Sequence, residues 1–95
     1  GIITEIYMMA QLTALLGGNF SGVMATIRMP NRKGELAKVT GAISDQGWGI
    51  YASGGVPTPK DPYHWDCVFK VRDVPQEDLL RLLESIEGQE VIDIR

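Results

Sequence analysis

The sequence is poor in the residues that form disulfides and metal sites. It contains 95 residues but only one cysteine and one histidine. No disulfide can therefore form within the chain, and a metal site, which needs several such ligands, is not expected. A single cysteine favours a reducing, cytoplasmic location. No apolar run is long enough to span a membrane, so no membrane partner is expected.

Basic charge is also in short supply. The formal net charge is −3 at neutral pH. Proteins that bind nucleic acids present a basic face, so the acidic balance argues against such a partner. The apolar and charged fractions are those of an ordinary globular domain, and the length fits one domain.

Periodic patterns divide the chain into a short N-terminal part and a longer remainder. Residues 5–16 are predicted to form a helix that is apolar on nearly all sides, with Thr4 as its N-cap, and residues 17–22 are typical of a linker. The remainder is predicted to contain strands at 23–29, 48–55, 63–71 and 90–95, a proline-rich loop at 56–62, a helix at 35–46, and a second helix opened by Pro75 and ended by Gly88.

The order of these elements predicts a fold class. From Val23 onward, strand, helix, strand, strand, helix and strand follow one another, which is the pattern of an α+β, ferredoxin-like βαββαβ sandwich. Right-handed crossovers would place the first and third strands in the centre of an antiparallel sheet, with both helices on one face. The N-terminal helix would be an addition to this fold.

The connection between the first strand and its helix is a candidate binding site. Polar residues 31–35 lie there, and the first-turn amides around Gly34 have no partners within a helix. Such amides can bind a carboxylate or a phosphate, and Gly34 has no side chain to keep a ligand away from the backbone. From the spacing alone, a simple tight turn and a ligand site both stay open.

The stretch "MPNRKGELAKVTGAISDQGWGIYA", residues 29–52, resembles the opening of an ACT domain. That family has an apolar strand, then Asp-Arg-Pro-Gly-x-Leu, then a helix ending in Gly and an apolar-Asn-Ile strand. The positions that match are Arg32, Gly34 and Leu36, while Asn31, Lys33 and Gly49 replace the usual Asp, Pro and Asn. The resemblance covers residues 23–95 and implies an ACT-like domain there.

The ACT resemblance implies a function and a set of site residues. ACT domains are regulatory modules that pair side by side, so we expect a homodimer or a larger homo-oligomer. Many bind a small molecule, most often an amino acid, at the interface. The positions implied as ligand-facing are Asn31, Arg32, Gly34, Glu35, Leu36, Ile50 and Tyr51. The resemblance implies no cofactor, no metal and no catalytic residue, and the chain is not expected to be an enzyme.

The first residues, "GIITEIYMM", are similar to the end of a CBS domain. That family often ends with Gly, two apolar residues, Thr or Ser and, three positions later, Asp. The hydroxyl and the acid of this motif hold the ribose of an adenine nucleotide. Thr4 matches the hydroxyl residue, and Tyr7 stands in place of the acid. The resemblance implies that residues 1–22 are the end of a CBS domain with a linker. It also implies a fragment of a CBS-pair and ACT regulatory protein of the acetoin-utilisation type, with adenine nucleotide bound in the CBS part.

Two other functional classes stay open. A structural dimerisation module without a ligand is favoured by Asn31 and Gly49, the departures from the ACT pattern. A small enzyme would need a catalytic constellation. His64 and Cys67 point to opposite faces of their strand by alternation and are expected to be structural, whereas Asp66 and Asp93 are expected to be solvated strand positions.

Overall fold

The computed structural model describes residues 22–95. The predicted helix at 5–16 and Thr4 lie outside the described residues. The described elements follow the order β1 (Val23–Pro30), α1 (Glu35–Asp45), β2 (Gly49–Thr58), β3 (Asp61–Arg72), α2 (Gln76–Glu84) and β4 (Glu90–Ile94).

The four strands form a single antiparallel sheet. Their spatial order is β2-β3-β1-β4, so β1 and β3 are the central strands, as predicted. In the central pair Ile27 lies opposite Cys67, and Ala25 lies opposite Phe69. The predicted α+β class, with a four-stranded antiparallel sheet and two helices, is confirmed.

Both helices pack on one face of the sheet and form the main core with it. Each helix contributes a pair of side chains four residues apart, which lie on one side of the helix. The members of this core cluster include Ala25, Ile27, Phe69 and Val71 from the strands, Val39 and Ile43 from α1, and Leu79 and Leu83 from α2. Burying each such large side chain contributes about 1.5–3 kcal/mol, so this layer dominates the stability of the domain.

The prediction of a loop at 56–62 is wrong. Strand β2 continues to Thr58 and β3 begins at Asp61, so only Pro59 and Lys60 form the turn between them. Strand β2 lies at the edge of the sheet. Pro57 is tolerated within it because, in an edge strand, the proline nitrogen can face away from the neighbouring strand, where no N–H donor is needed.

The opposite face of the sheet, here called the far face, is also buried along β3. It carries Asp66, Val68 and Lys70, all of them buried, and Met24 from β1. The expectation that Asp66 is a solvated strand position is therefore wrong. Arg28 donates from Nε to Asp66 Oδ1 at 2.8 Å and from Nη2 to Oδ2 at 3.1 Å.

Within residues 22–95 neither helix has the length and apolarity that crossing a membrane requires.

Candidate functional site

The loop between β1 and α1 leaves two backbone amides without an acceptor among the described residues, at the start of α1. Gly34 has a φ of 91°, and nothing lies within 4 Å of the place a Cβ would occupy. That backbone conformation strains any residue with a side chain. No side chain caps this helix. The carbonyls of Arg32 and Gly34 accept hydrogen bonds from the amides of Glu35 and Lys38, so among the described residues the amides of residues 36 and 37 have no acceptor.

Beside this loop, two adjacent cavities of about 130 and 240 Å³ form what we call the groove. Both cavities share Leu36, Trp65 and Cys67 in their lining. The remaining lining residues are Met29, Pro30, Asn31 and Arg32 on the loop side and Ser53, Gly54 and Gly55 on the β2 side. The groove thus runs from the loop, across β3, to the edge strand.

A glycine in β2 makes room for the floor of the groove. A Cβ at Gly55 would lie 2.9 Å from Cys67 Sγ and 3.5 Å from Trp65 Cε3, so a larger residue would push these side chains aside. Trp65 is 36% exposed and forms an aromatic wall of the groove. Such a mixed surface, largely apolar with a few polar groups at one end, is typical of small-molecule sites.

The cysteine in the groove is suited to packing and not to covalent chemistry. Burial, with a smaller contribution from Asp66, raises the pKa of the Cys67 thiol to about 11. The nucleophilic thiolate is therefore a minor form at neutral pH. Among the described residues no group of three or more histidines, cysteines and acids could hold a metal ion.

Glu35 is the first residue of α1, and its carboxylate contacts three side chains of the chain. Its Oε1 lies 3.1 Å from Arg32 Nη2, its Oε2 lies 3.2 Å from Lys38 Nζ, and Gln89 Nε2 donates to Oε2 at 2.7 Å. The hydrogen bond from Lys38 is the main cause that lowers the pKa of Glu35, against the opposing effect of burial. Glu35 therefore fastens the loop to the connection between α2 and β4.

The structure brings some of the sequence-predicted site residues together and separates others. Asn31, Arg32 and Leu36 line the groove, and Gly34 lies in the same loop. Ile50 instead packs against the core cluster, and Tyr51 stacks under the guanidinium of Arg72 at 5.1 Å. Neither is among the described residues of the groove wall, because Ser53 to Gly55, further along β2, pair with this part of β3.

The residues that sequence reasoning missed are on the two strands of the hairpin. Trp65, Cys67 and Gly55 form the floor and one wall of the groove. A signal was present: a glycine pair inside a strand marks a close approach of other groups. Using it requires the register between β2 and β3, which the bulges near Ile50 and near Pro57 shift.

The other polar residues considered from sequence do not gather into a site. Asp66 pairs with Arg28, and Asp93 pairs with Arg95 at 2.7 Å, so the two acids act separately. His64 Nδ1 lies 2.8 Å from Asp61 Oδ2 at the start of β3.

Comparisons with known proteins give a likeness of fold. No family model matches the chain, and no curated protein matches it. A solved structure described as "GqqA- a novel type of quorum quenching acylases" is similar, with a TM-score of 0.53 and 21% sequence identity over 79% of this chain. The match spans 42% of that chain. At this identity the likeness concerns the fold alone.

Proposed function

We propose that this chain is a regulatory module that binds an amino acid or a similar small ligand in the groove. The observation that carries the proposal is that the loop before α1 and the small residues of β2 line one groove across Trp65. This is the place where ACT domains, which the sequence resembles, bind their ligands. We further propose that the α+β domain is of the ferredoxin-like, ACT-like type and that its role is not catalytic.

The two ends of the groove suit the two ends of an amino acid. At the loop end, Arg32 and the free amides of the first turn of α1 are suited to a carboxylate, since helix N-termini favour anions. Toward β2, Leu36 and Trp65 offer an apolar surface for a side chain. Asn31 already donates from Nδ2 to the carbonyl of Pro62 at 3.4 Å, so its amide oxygen is the atom left for an ammonium group.

A second copy of the chain would complete the site. Ligand pockets usually occupy roughly 300–1,000 Å³, and each of the two cavities is smaller than that. Both also involve residues at the surface, among them Leu36 and Trp65. A homodimer, or a larger homo-oligomer, would enclose the ligand between two copies. A ligand that contacts both copies favours the paired state by its differential affinity, which is the simplest route to regulation.

The larger context of the proposal comes from the resemblance of residues 1–22 to the end of a CBS domain. In a CBS and ACT protein, the ligand in the groove would bias CBS domains that bind adenine nucleotide near Thr4. Such a protein would act in the cytoplasm.

A structural dimerisation module without a ligand is the second candidate. The observation that favours it is that Asn31 and Glu35, two of the implied ligand-facing residues, are already bonded within the chain. In that case the groove would be filled by the partner and not by a small molecule.

Thermal unfolding of the 95-residue chain in the presence of each of the twenty amino acids at millimolar concentration separates the two candidates. A ligand at 100 times its dissociation constant adds about 2.7 kcal/mol, which is a rise of roughly 10–20 °C in Tm for a domain of this size. We expect one amino acid, or a few related ones, to give such a rise.

Variants then place the binding site. Arg32→Ala should abolish the rise in Tm. The control is Arg81→Ala, which removes a similarly exposed arginine from α2, outside the groove, and should leave the rise unchanged. A rise that survives Arg32→Ala would put the ligand elsewhere. No rise with any amino acid, together with a stable dimer by light scattering, would favour the structural module.

A further inference from the structure

The burial of β3 calls for a second layer on the sheet. An antiparallel sheet with one solvated face alternates buried and exposed side chains along its strands. Strand β3 does not: residues 66–71 are all buried. Cys67, Phe69 and Val71 face the two helices, so Asp66, Val68 and Lys70 are buried on the far face. A strand buried on both sides is a sign of a layer on each side, and the described helices supply only one.

The far face has the chemistry of a docking surface for an apolar helix. Val68 at its centre is 0% exposed, and its neighbours across the strands are Thr26 and Gly54. Met24 and Val56 extend the apolar area. The neighbours of Val68 are small, and Asp66, which pairs with Arg28, lies two residues along β3.

The N-terminal part of the chain has the matching pattern. In the helix predicted at residues 5–16, Leu12 is preceded by apolar residues three and four positions earlier and followed by apolar residues three and four positions later. Although the helix is apolar on nearly all sides, this spacing aligns its largest apolar side chains in one stripe along the helix. Its members are Met8, Met9, Leu12, Leu15 and Leu16.

The dimensions of the two parts also agree. A helix of this length extends about 18 Å. A strand with as many residues as β1 extends about 26 Å, so the helix fits along the far face. The linker at 17–22 can span roughly 20 Å, which is enough for the chain to turn back over the sheet. The strand that the chain enters at Val23 is the central strand β1.

We propose that residues 5–16 dock as a helix on the far face, with the stripe centred on Leu12 against Val68. The domain is then a sheet with a helical layer on each side. The second layer links any preceding domain directly to the strands that carry Trp65 and Cys67. This inference does not depend on the proposed ligand.

Thiol labelling of the 95-residue chain tests the proposal. One protein carries Val68→Cys with Cys67→Ala, so its single thiol lies at the centre of the far face. The native chain, whose single thiol Cys67 lies on the helix side, reports general unfolding. Leu12→Glu and Ala10→Glu are placed in both proteins. Ala10 is roughly 160° around the helix from Leu12 and adds the same charge away from the stripe.

In the Val68→Cys, Cys67→Ala protein, we expect the thiol at position 68 to be protected from iodoacetamide, and equally so when Ala10→Glu is added. Adding Leu12→Glu instead should make this thiol react at least tenfold faster. Cys67 should react equally slowly in all three backgrounds. If Leu12→Glu also exposes Cys67, the milder Leu12→Ala replaces it and should raise labelling at position 68 alone.

Three results would overturn the proposal. A thiol at position 68 that reacts freely in the parent would mean that the far face is open. Protection that is lost on dilution and is insensitive to Leu12 would mean that a second copy covers the face. Protection that is insensitive to both dilution and Leu12 would exclude the stripe as the covering surface.

Discussion

Asp66 on the far face and Glu35 at the start of α1 are buried to the same extent, and their surroundings differ. Each residue is 6% exposed, and in each the pKa is lowered. For Asp66, burial is the largest single influence and raises the pKa, but the lowering influences, led by the hydrogen bonds from Arg28 and Thr58, outweigh it in sum. For Glu35, the hydrogen bond from Lys38 is the largest influence, and it lowers the pKa.

The position of the partners explains what each carboxylate does. Asp66 lies on β3, and its partners Arg28 and Thr58 lie on β1 and β2, so this acid connects three strands. Glu35 connects a loop, its own helix and Gln89 before β4. We infer that Asp66 supports the whole sheet, whereas Glu35 sets the local shape of the groove.

Replacing Asp66 gives the largest expected effect on stability. Asp66→Asn should lower the free energy of unfolding by about 2 to 3 kcal/mol, because Arg28 keeps its charge in a partly buried site without a counter-ion. The measurement is urea-induced unfolding of the two proteins at neutral pH.

Asp93→Asn is the control for this change. Asp93 is also a strand acid paired with an arginine, but both side chains are largely exposed. The loss of such an exposed pair should cost roughly 0.5 kcal/mol or less. Equal costs at the two positions would contradict the central role assigned to Asp66.

The dependence of stability on pH should reveal the contributions of Asp66 and Glu35. Both pKa values are lower in the folded state than the ordinary values of 3.8 for Asp and 4.5 for Glu. The unfolded state therefore binds more protons as the pH falls through those ordinary values. The contribution of both acids is complete above about pH 5 and is lost as the pH falls through the folded values.

Unfolding measured from pH 7 to pH 3 checks this expectation. The parent should lose stability below about pH 5, and Asp66→Asn and Glu35→Gln should each lose less over the same interval. Parallel curves for the parent and both variants would show that neither carboxylate has the lowered pKa that its contacts indicate.

Features that depend on neighbouring residues in the sequence could be predicted, whereas features that depend on contacts between distant residues could not. Helix and strand periodicities are local, so the element order and the central position of β1 and β3 could be predicted. The extension of β2 through Pro57 could not, because a proline is acceptable there only at the edge of the sheet. The burial of Asp66 was missed because alternation assigns a face and not what covers that face.

The candidate site was predictable to the same degree. The loop residues Asn31 and Arg32 follow from a strand that runs into a helix start, which is local information, whereas Leu36 was implied only by the resemblance to ACT domains. The β2 wall at Ser53 and Gly55 was not found, since it depends on the hairpin register and its bulges.

The smallest expected effects come from the neutral donors to the two acids. Thr58 Oγ1 donates to Asp66 Oδ1, and Gln89 Nε2 donates to Glu35 Oε2, each at 2.7 Å. Thr58→Val keeps the shape and removes a hydrogen bond to a charged acceptor, so it should cost about 1 to 2 kcal/mol. Chemical unfolding at neutral pH measures this cost.

Gln89→Leu should instead leave the free energy of unfolding nearly unchanged, although the bond it removes is as short. The Oε1 of Gln89 is buried without a partner among the described residues. Leucine removes this unpaired acceptor together with the donor, and the two contributions offset each other. A cost equal to that of Thr58→Val would mean that Gln89 is bonded through both ends of its amide. The hydrogen bonds around Glu35 would then be as complete as those around Asp66, and the contrast between the two acids would rest on position alone.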